Sequence, residues 1–339
     1  MGRKEWGTWS LGYKPPDYEV DDDGKIVGLV NDREPNNWGR WGELDQRGTT
    51  NFITPEKVRE AKDLIQDGRI ISMAIPLDAT GPVHPTRPGI QHYWGYTGAD
   101  MIAGTALSDV YPKAQATDDY INMAIQGSTQ WDGLSHFAYA DAMFNGFWLG
   151  NVETIGGAHR CSIHNQKETL CSRAVLLDVA RHKGVDRLEG GYAIMPEELD
   201  EVIAAEGVEI REGDIMIVRT GHVPWWYTLQ TGEEKLKFFE AAPGLSMRCV
   251  DWIYEKSIAA VAMDNIAIEV EPHEEPFEHA YPVHARLIRD LGLSLGEIWH
   301  LDAIAEDCAN DGRYEFFVAA QPLNLTNASG SPLNPIAIK

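Results

Sequence analysis

Runs of consecutive apolar residues recur along the chain and predict strands. A half-exposed strand alternates apolar and polar residues, whereas a strand that is covered on both faces shows a nearly continuous apolar run. Most of the runs here are of the second kind, so we expect them to lie inside a sheet that is packed on both sides. They predict strands over residues 69–75, 120–125, 174–179, 214–219, 258–263 and 316–320.

Segments in which apolar residues recur at helical spacing separate these strands. The first helix is predicted to begin at Pro55, with Thr54 as its N-cap, and to stop at Gly68. Further helices are predicted over residues 196–206, 246–256, 283–291 and 302–309. Strands that alternate with helices predict an α/β domain built on a largely parallel or mixed sheet.

The first part of the chain differs in composition from the rest. Residues 1–36 are rich in proline, aspartate and glycine, which predicts an N-terminal arm rather than a folded unit. Trp6, Trp9 and Tyr13 make this arm too aromatic to be simply solvated, so we expect it to pack against its own body or a neighbouring subunit. We therefore predict a single domain over residues 37–339 and a homo-oligomer, either a dimer or a tetramer.

The net charge of the chain makes some classes of binding partner unfavourable. The 339 residues carry a net charge of −23 at pH 7, which repels nucleic acid and anionic membranes, so we expect neither as a partner. No apolar run reaches the length of a membrane span, and the first residues lack the apolar stretch of a secretory signal. The four cysteines are widely spaced, which predicts reduced thiols in a cytoplasmic protein.

Candidate chemistry is concentrated in the segment from Gln126 to His136. Gln126, Gln130, Asp132 and His136 fall at even spacings, so an extended chain would project all four side chains to the same side. A row of oxygen and nitrogen donors suits a divalent metal or a polar pocket that binds a carbonyl compound. A polar strand end, satisfied by backbone and water, is the structural alternative.

This segment resembles the metal-binding motif of the cyclase family, the group of kynurenine formamidase-like and isatin hydrolase-like enzymes. The family pattern is His-x-Gly-Thr-His-x-Asp-x-Pro-x-His. Gln126 and Gln130 stand at its two leading histidines, Leu134 replaces its proline, and Asp132 and His136 match it. The resemblance implies a swivelling β/β/α domain for this chain. At the two glutamines, however, the sequence departs from the ligand residues of the family pattern.

The resemblance extends from about residue 38 to residue 339. Five further segments follow the family order, at residues 218–221, 243–246, 263–265, 282–284 and 330–332.

His284 lies on a predicted helix, on the same face as Leu287, Ile288 and Leu291. The pattern alone favours a hydrogen-bonded core histidine. The resemblance implies instead a metal ligand, completed by an acidic residue about a dozen positions later, for which Glu297 is the candidate.

The resemblance thus implies a metal site formed by Asp132, His284 and Glu297, with Gln130 as a fourth donor. Amide and carboxylate oxygens favour Mn²⁺, whereas a histidine-rich site favours Zn²⁺. We expect one divalent ion, Mn²⁺ first and Zn²⁺ second. The alternative is that the two glutamines abolish metal binding.

The remaining candidates concern proton transfer and substrate binding. His136 is predicted as the general acid–base because imidazole titrates near neutral pH. Gln126 and three aromatic residues, Trp94, Trp225 and Trp226, are predicted to bind substrate, with core packing as the alternative for the aromatics. The acidic run 269–278 is predicted to be a solvated loop.

These expectations combine into a functional prediction. The chain contains no GxSxG elbow, P-loop, HExxH or GxGxxG motif. We predict a metal-dependent hydrolase whose partner is a small-molecule substrate: a cyclic amide, a lactone or an N-acyl (formamide-type) compound. The alternative is a non-catalytic or metal-free member of the same scaffold that binds a small molecule.

Overall fold

A mixed sheet of nine strands organises the part of the chain that the computed structural model describes, residues 17–104, 114–274 and 281–339. The aromatic residues predicted to anchor the N-terminal arm, Trp6, Trp9 and Tyr13, lie outside these residues. The strands of the described residues are β1 Ile70–Ser72, β2 Gln91–Tyr96, β3 Asp118–Asn122, β4 Gln130–Asp132, β5 Val152–Glu153, β6 Gly157–Ala158, β7 Cys171–Asp178, β8 Ala193–Ile194, β9 Ile215–Arg219, β10 Gly244–Leu245, β11 Ala260–Met263, β12 Ser294–Glu297, β13 Glu315–Ala319, β14 Gly330–Pro332 and β15 Ile336–Ile338. The strand order in the large sheet is β1-β15-β13-β7-β9-β11-β12-β4-β14.

The centre of the sheet is parallel and its two sides are antiparallel. Strands β7, β9, β11 and β12 run parallel to one another, while β13 and β15 on one side and β4 and β14 on the other pair antiparallel. Both faces are covered, because Val175 and Leu177 of β7 pack into one hydrophobic cluster and Ala174 and Leu176 into another. The α/β fold with a mixed sheet, predicted from the apolar runs, is confirmed.

The helices lie between the strands, largely where spacing predicts them. They are α1 Pro55–Ala61, α2 Gly98–Ala103, α3 Val179–His182, α4 Pro196–Glu206, α5 His222–Trp226, α6 Gly232–Glu240, α7 Cys249–Glu255, α8 Pro282–His284 and α9 Asp302–Asp311. The Thr54 hydroxyl caps α1 by accepting from the backbone N–H of Lys57, as expected. The helix ends at Ala61 rather than at Gly68, because the chain tightens into a 3₁₀ turn at Lys62–Leu64.

Helix α8 widens into a π-helix over Ala285–Asp290, so the predicted helix at 283–291 is present but has two geometries. Such widened turns are frequent at functional sites because they displace side chains from α-helical positions.

The segment around Gln126 is less regular than its spacing suggests. The predicted strand at 120–125 ends at Asn122, and β3 pairs with β2 in a separate ribbon rather than in the large sheet. The chain then turns and returns to strand only for Gln130–Asp132. A single extended segment therefore does not carry all four candidate donors. Among the described residues, no helix has the length and hydrophobicity of a membrane span.

Candidate metal centre and cavity

Three buried side chains from three elements converge at β4, the strand next to the β14 edge of the sheet. Asp132 comes from β4, His284 from α8 and Glu297 from β12, and one ligand atom from each lies within 4.8 Å of the others. Glu297 stands directly opposite Gln130 in the antiparallel pair β12–β4, so the two side chains share one face of the sheet. Asp132 follows two residues later and shares that face. The even spacing of Gln130 and Asp132 thus positions both side chains as predicted.

Gln130 is hydrogen-bonded to one of the three converging residues, Glu297. Its Nε2 donates to Oε2 of Glu297 over 2.8 Å. This leaves Gln130 Oε1 and both carboxylate oxygens of Asp132 buried without a hydrogen-bond partner among the described residues. Buried acceptors are rarely left unsatisfied, because stripping them of water costs about 1–3 kcal/mol each. Unpaired oxygens beside an imidazole and a second carboxylate form a donor set that fits a divalent cation.

His284 is held at both ring nitrogens by carboxylates. Nδ1 lies 2.7 Å from Oε1 of Glu269 and Nε2 lies 2.9 Å from Oε1 of Glu297. The backbone N–H of His284 also donates to Glu269. Glu269 is fully buried, so the prediction that the run 269–278 is a solvated loop is wrong at this residue. The acidic residue between Ile268 and Val270 was the local signal that Glu269 faces an enclosed site.

The ionisable side chains of the site shift one another's pKa values. Burial disfavours the imidazolium of His284, but hydrogen bonds to Glu269 and Glu297 outweigh it and raise the pKa of His284 to about 10. Burial raises the pKa of Asp132 to about 6, an effect that the neighbouring His136 opposes and Glu297 reinforces. Burial lowers the pKa of His136, and Asp132 partly counteracts that shift. His136 is therefore predominantly neutral near pH 7.

A cavity of about 390 Å³ opens beside this centre. His136 lies on its wall, with Nε2 3.7 Å from Oδ2 of Asp132, beyond hydrogen-bond distance. The side chain of His136 is partly exposed, so it can contact both the cavity and the buried centre. The residues that line the cavity are His84, Thr86, Arg87, His136, Phe137, Phe239, Ile266, Ala267, Glu271, Tyr281, His284, Glu297 and Ile298.

The cavity contains charged and aromatic residues that the sequence pattern did not single out. Arg87 donates from Nη1 to the backbone carbonyl of Gln126 and forms no ion pair with any described residue. Phe137, Phe239 and Tyr281 supply apolar surface. No local motif marks these residues, because they come together from separate loops and a helix.

The four side chains predicted to bind substrate lie outside the wall of this cavity. Trp94 is half-exposed on the β2–β3 ribbon, and Trp225 stacks against a guanidinium. Trp226 packs against Phe239 with ring centroids 5.6 Å apart, so it stands behind the cavity wall. Gln126 points toward the β14 edge, where its Nε2 lies close to Gly330.

The sequence matches one family model and has no match among curated proteins. The model of a family named Cyclase, described as "Putative cyclase", matches residues 71–270. A search of the curated proteins found no match.

Several solved structures share the fold. A crystal structure described as a novel cyclase is 45% identical to this chain, with a TM-score of 0.84, and the match covers 90% of this chain and 99% of that one. Isatin hydrolase A from Labrenzia aggregata, bound to benzyl benzoate, is 18% identical with a TM-score of 0.56, covering 79% and 93%. An isatin hydrolase bound to the product analogue thioisatinate is 14% identical with a TM-score of 0.57, covering 82% and 95%.

Proposed function

Because the chain belongs to the cyclase family, we propose that it is a metal-dependent hydrolase of a small cyclic amide, lactone or N-acyl (formamide-type) compound. The observation that carries the proposal is the buried convergence of Asp132, His284 and Glu297 beside an open cavity. Two structures with this fold are described as isatin hydrolases, and the reaction class is taken from them.

In this proposal Asp132, His284 and Glu297 hold one divalent ion, and Gln130 Oε1 is a fourth donor. The oxygens of Asp132 and Gln130 that lack partners are the atoms available to it. A predominantly oxygen-donor set favours Mn²⁺ over Zn²⁺. When bound, the ion would polarise the scissile carbonyl and lower the pKa of a water molecule.

Glu269 positions His284 for this role. Its carboxylate accepts from Nδ1–H, so Nε2 is the ring nitrogen that would face a cation. Nε2 donates to Glu297 in this structure, so a cation would displace that proton and leave a neutral imidazole as the ligand.

Two side chains on the cavity wall would transfer the proton and stabilise the carbonyl oxygen. His136 is neutral near pH 7 and lies on the cavity wall, so it can take a proton from water and return it to the leaving amine or alkoxide. Arg87 retains N–H donors for an oxygen on which negative charge develops. Phe137, Phe239 and Tyr281 offer apolar surface against which the rest of the substrate can pack.

The test combines metal analysis with turnover. Purified full-length protein is analysed for metal, treated with EDTA, reloaded with Mn²⁺ or Zn²⁺, and incubated with an N-formyl arylamine, a cyclic imide and a lactone. We expect close to one ion per chain, loss of hydrolysis with EDTA and recovery on reloading. Hydrolysis that persists in protein without metal would contradict the proposal.

A metal-free binding protein is the second candidate function. It is favoured by the continuous hydrogen-bonded chain from Glu269 through His284 and Glu297 to Nε2 of Gln130, which pairs His284 and Glu297 without a cation. Amides cannot transfer a proton usefully, so Gln126 and Gln130 also suit a binding role. Thermal stabilisation by one of the same compounds, with no product by mass spectrometry, would favour this candidate.

A further inference from the structure

One carboxylate of the cavity takes no part in the reaction proposed above. Glu271 lines the wall, and its side chain is 14% exposed. Its Oε1 is buried and has no hydrogen-bond partner among the described residues, while Oε2 lies 3.8 Å from Nδ1 of His273. Near the cavity, then, Glu271 presents an acceptor that the described protein groups leave unsatisfied.

The backbone fixes this acceptor in place. Glu271 forms an antiparallel bridge with Ala242, in which the N–H of each residue donates to the carbonyl of the other over 2.9 Å. A carboxylate on a paired, strand-like backbone keeps its direction, unlike one on an exposed loop tip. The position is therefore suited to recognising one group of a bound molecule.

The surroundings of Glu271 favour a positively charged or N–H-donating group. Tyr281 lies on the same wall, with its ring 6.1 Å from His273 and 6.3 Å from Phe137. Aromatic faces attract cations, and a carboxylate accepts from an ammonium. Burial and the nearby Glu269 raise the pKa of Glu271, while His273 and His284 oppose that shift. The net rise is consistent with a carboxylate that lacks a partner for Oε1.

We propose that Glu271 is a specificity-determining residue that accepts a hydrogen bond from an amino group of the substrate. The substrates are then small aromatic amides, lactones or N-acyl compounds that carry an amine, with the amine against Glu271 and the ring beside Tyr281 and Phe137. This assignment rests on the proposed hydrolase function for its substrate class, but its binding chemistry can be measured without turnover.

The experiment compares probes that differ by one amine. Binding of benzamide and of its 2-, 3- and 4-aminomethyl derivatives to the full-length, metal-loaded protein is measured by calorimetry. We expect at least one amine-bearing isomer to bind about tenfold or more tightly than benzamide, the usual strength of a hydrogen bond to a charged group. Glu271→Gln should remove most of that preference, whereas Glu255→Gln, on the exposed end of α7, should retain it.

Benzamide serves as the folding control, because it lacks the group that Glu271 recognises and should bind Glu271→Gln as it binds the natural chain. Equal binding of all four probes to the natural chain would overturn the proposal, and so would an amine preference that survives Glu271→Gln. Protein that shows the preference but hydrolyses none of the amides, lactones and N-formyl compounds tested would leave Glu271 assigned and overturn the hydrolase function. Protein that hydrolyses one of these compounds but shows no preference for the amine-bearing probes would support the hydrolase function and overturn the assignment of Glu271.

Discussion

At the scale of single residues, the proposed metal site depends mainly on carboxylates, because glutamine and not histidine stands at position 130. A neutral amide oxygen is a weaker ligand than imidazole, and Gln130 uses its other amide atom to hold Glu297. Asp132 and Glu297 therefore supply the negative charge that a divalent ion needs. Substitutions at Gln130, Asp132 or Glu297 should therefore change the affinity for the metal more than they change the fold.

Gln130→His should tighten metal binding and shift the preference toward Zn²⁺, because imidazole is the stronger and softer donor. Asp132→Asn should weaken binding by at least about tenfold, the loss typical even of residues that merely support a ligand. Competition with a chromogenic chelator measures both affinities. Unchanged affinities in two folded variants would place the site elsewhere.

His136→Ala should leave the metal content intact and lower turnover by roughly two to four orders of magnitude, the usual contribution of a general acid–base. His92→Ala is the matched control, because His92 lies half-exposed on the β2–β3 ribbon. Its turnover should match that of the natural chain. Equal activities of the two variants would remove His136 from the mechanism.

At the scale of elements, the site could be predicted where neighbouring residues share a strand and not where the chain turns. Gln130 and Asp132 belong to β4, so their alternation correctly places both side chains on one face. Gln126 lies in the turn before β4, and its side chain does not line the cavity. Glu269 meets His284 through a tertiary contact, which neither periodicity nor spacing encodes.

Helix α5 provides a test of stability against acid. His222 at its start is buried, its Nε2 lies 3.0 Å from the carbonyl of Phe238, and burial lowers its pKa to about 4. The unfolded chain, with an ordinary histidine pKa near 6.5, binds more protons between these values, so stability falls as pH falls through that window. From pH 7 to 4.5 this histidine should cost about 2 kcal/mol.

Denaturant unfolding of the natural chain and His222→Phe at the two pH values isolates this contribution. Phenylalanine preserves the stacking on Phe238, whose ring centroid lies 4.3 Å away, but it cannot titrate. The loss of unfolding free energy on acidification should be smaller in the variant by about 2 kcal/mol. An equal loss in both proteins would show that His222 is not the acid-sensitive group.

At the scale of the whole molecule, the apolar runs correctly predict one large sheet that is covered on both faces. Consecutive residues such as Ala174 to Leu177 are all apolar because they pack alternately into the hydrophobic clusters on the two faces. The β2–β3 ribbon differs, because it is not part of the large sheet. Tyr93, Trp94 and Tyr120 lie about half-exposed on it. A two-stranded ribbon is only marginally stable by itself in water, so its position outside the sheet depends on contacts that sequence periodicity does not reveal.

The aromatic residues of the arm and of this ribbon lead us to predict a homo-oligomer. Light scattering at micromolar concentration should give a multiple of the 37.8 kDa chain mass. Trp94→Lys should lower the measured mass if the ribbon contributes to the contact. His159→Lys, at a partly exposed residue outside the ribbon, should not. A monomer mass for the natural chain would contradict the prediction.

The proposed function depends above all on Asp132, His284 and Glu297 binding one divalent ion. A crystal grown with Mn²⁺, with diffraction data collected on both sides of the manganese absorption edge, would locate that ion. We expect an anomalous peak within bonding distance of all three side chains and beside Oε1 of Gln130. A map with no peak there, from protein that hydrolyses its substrate, would contradict this expectation.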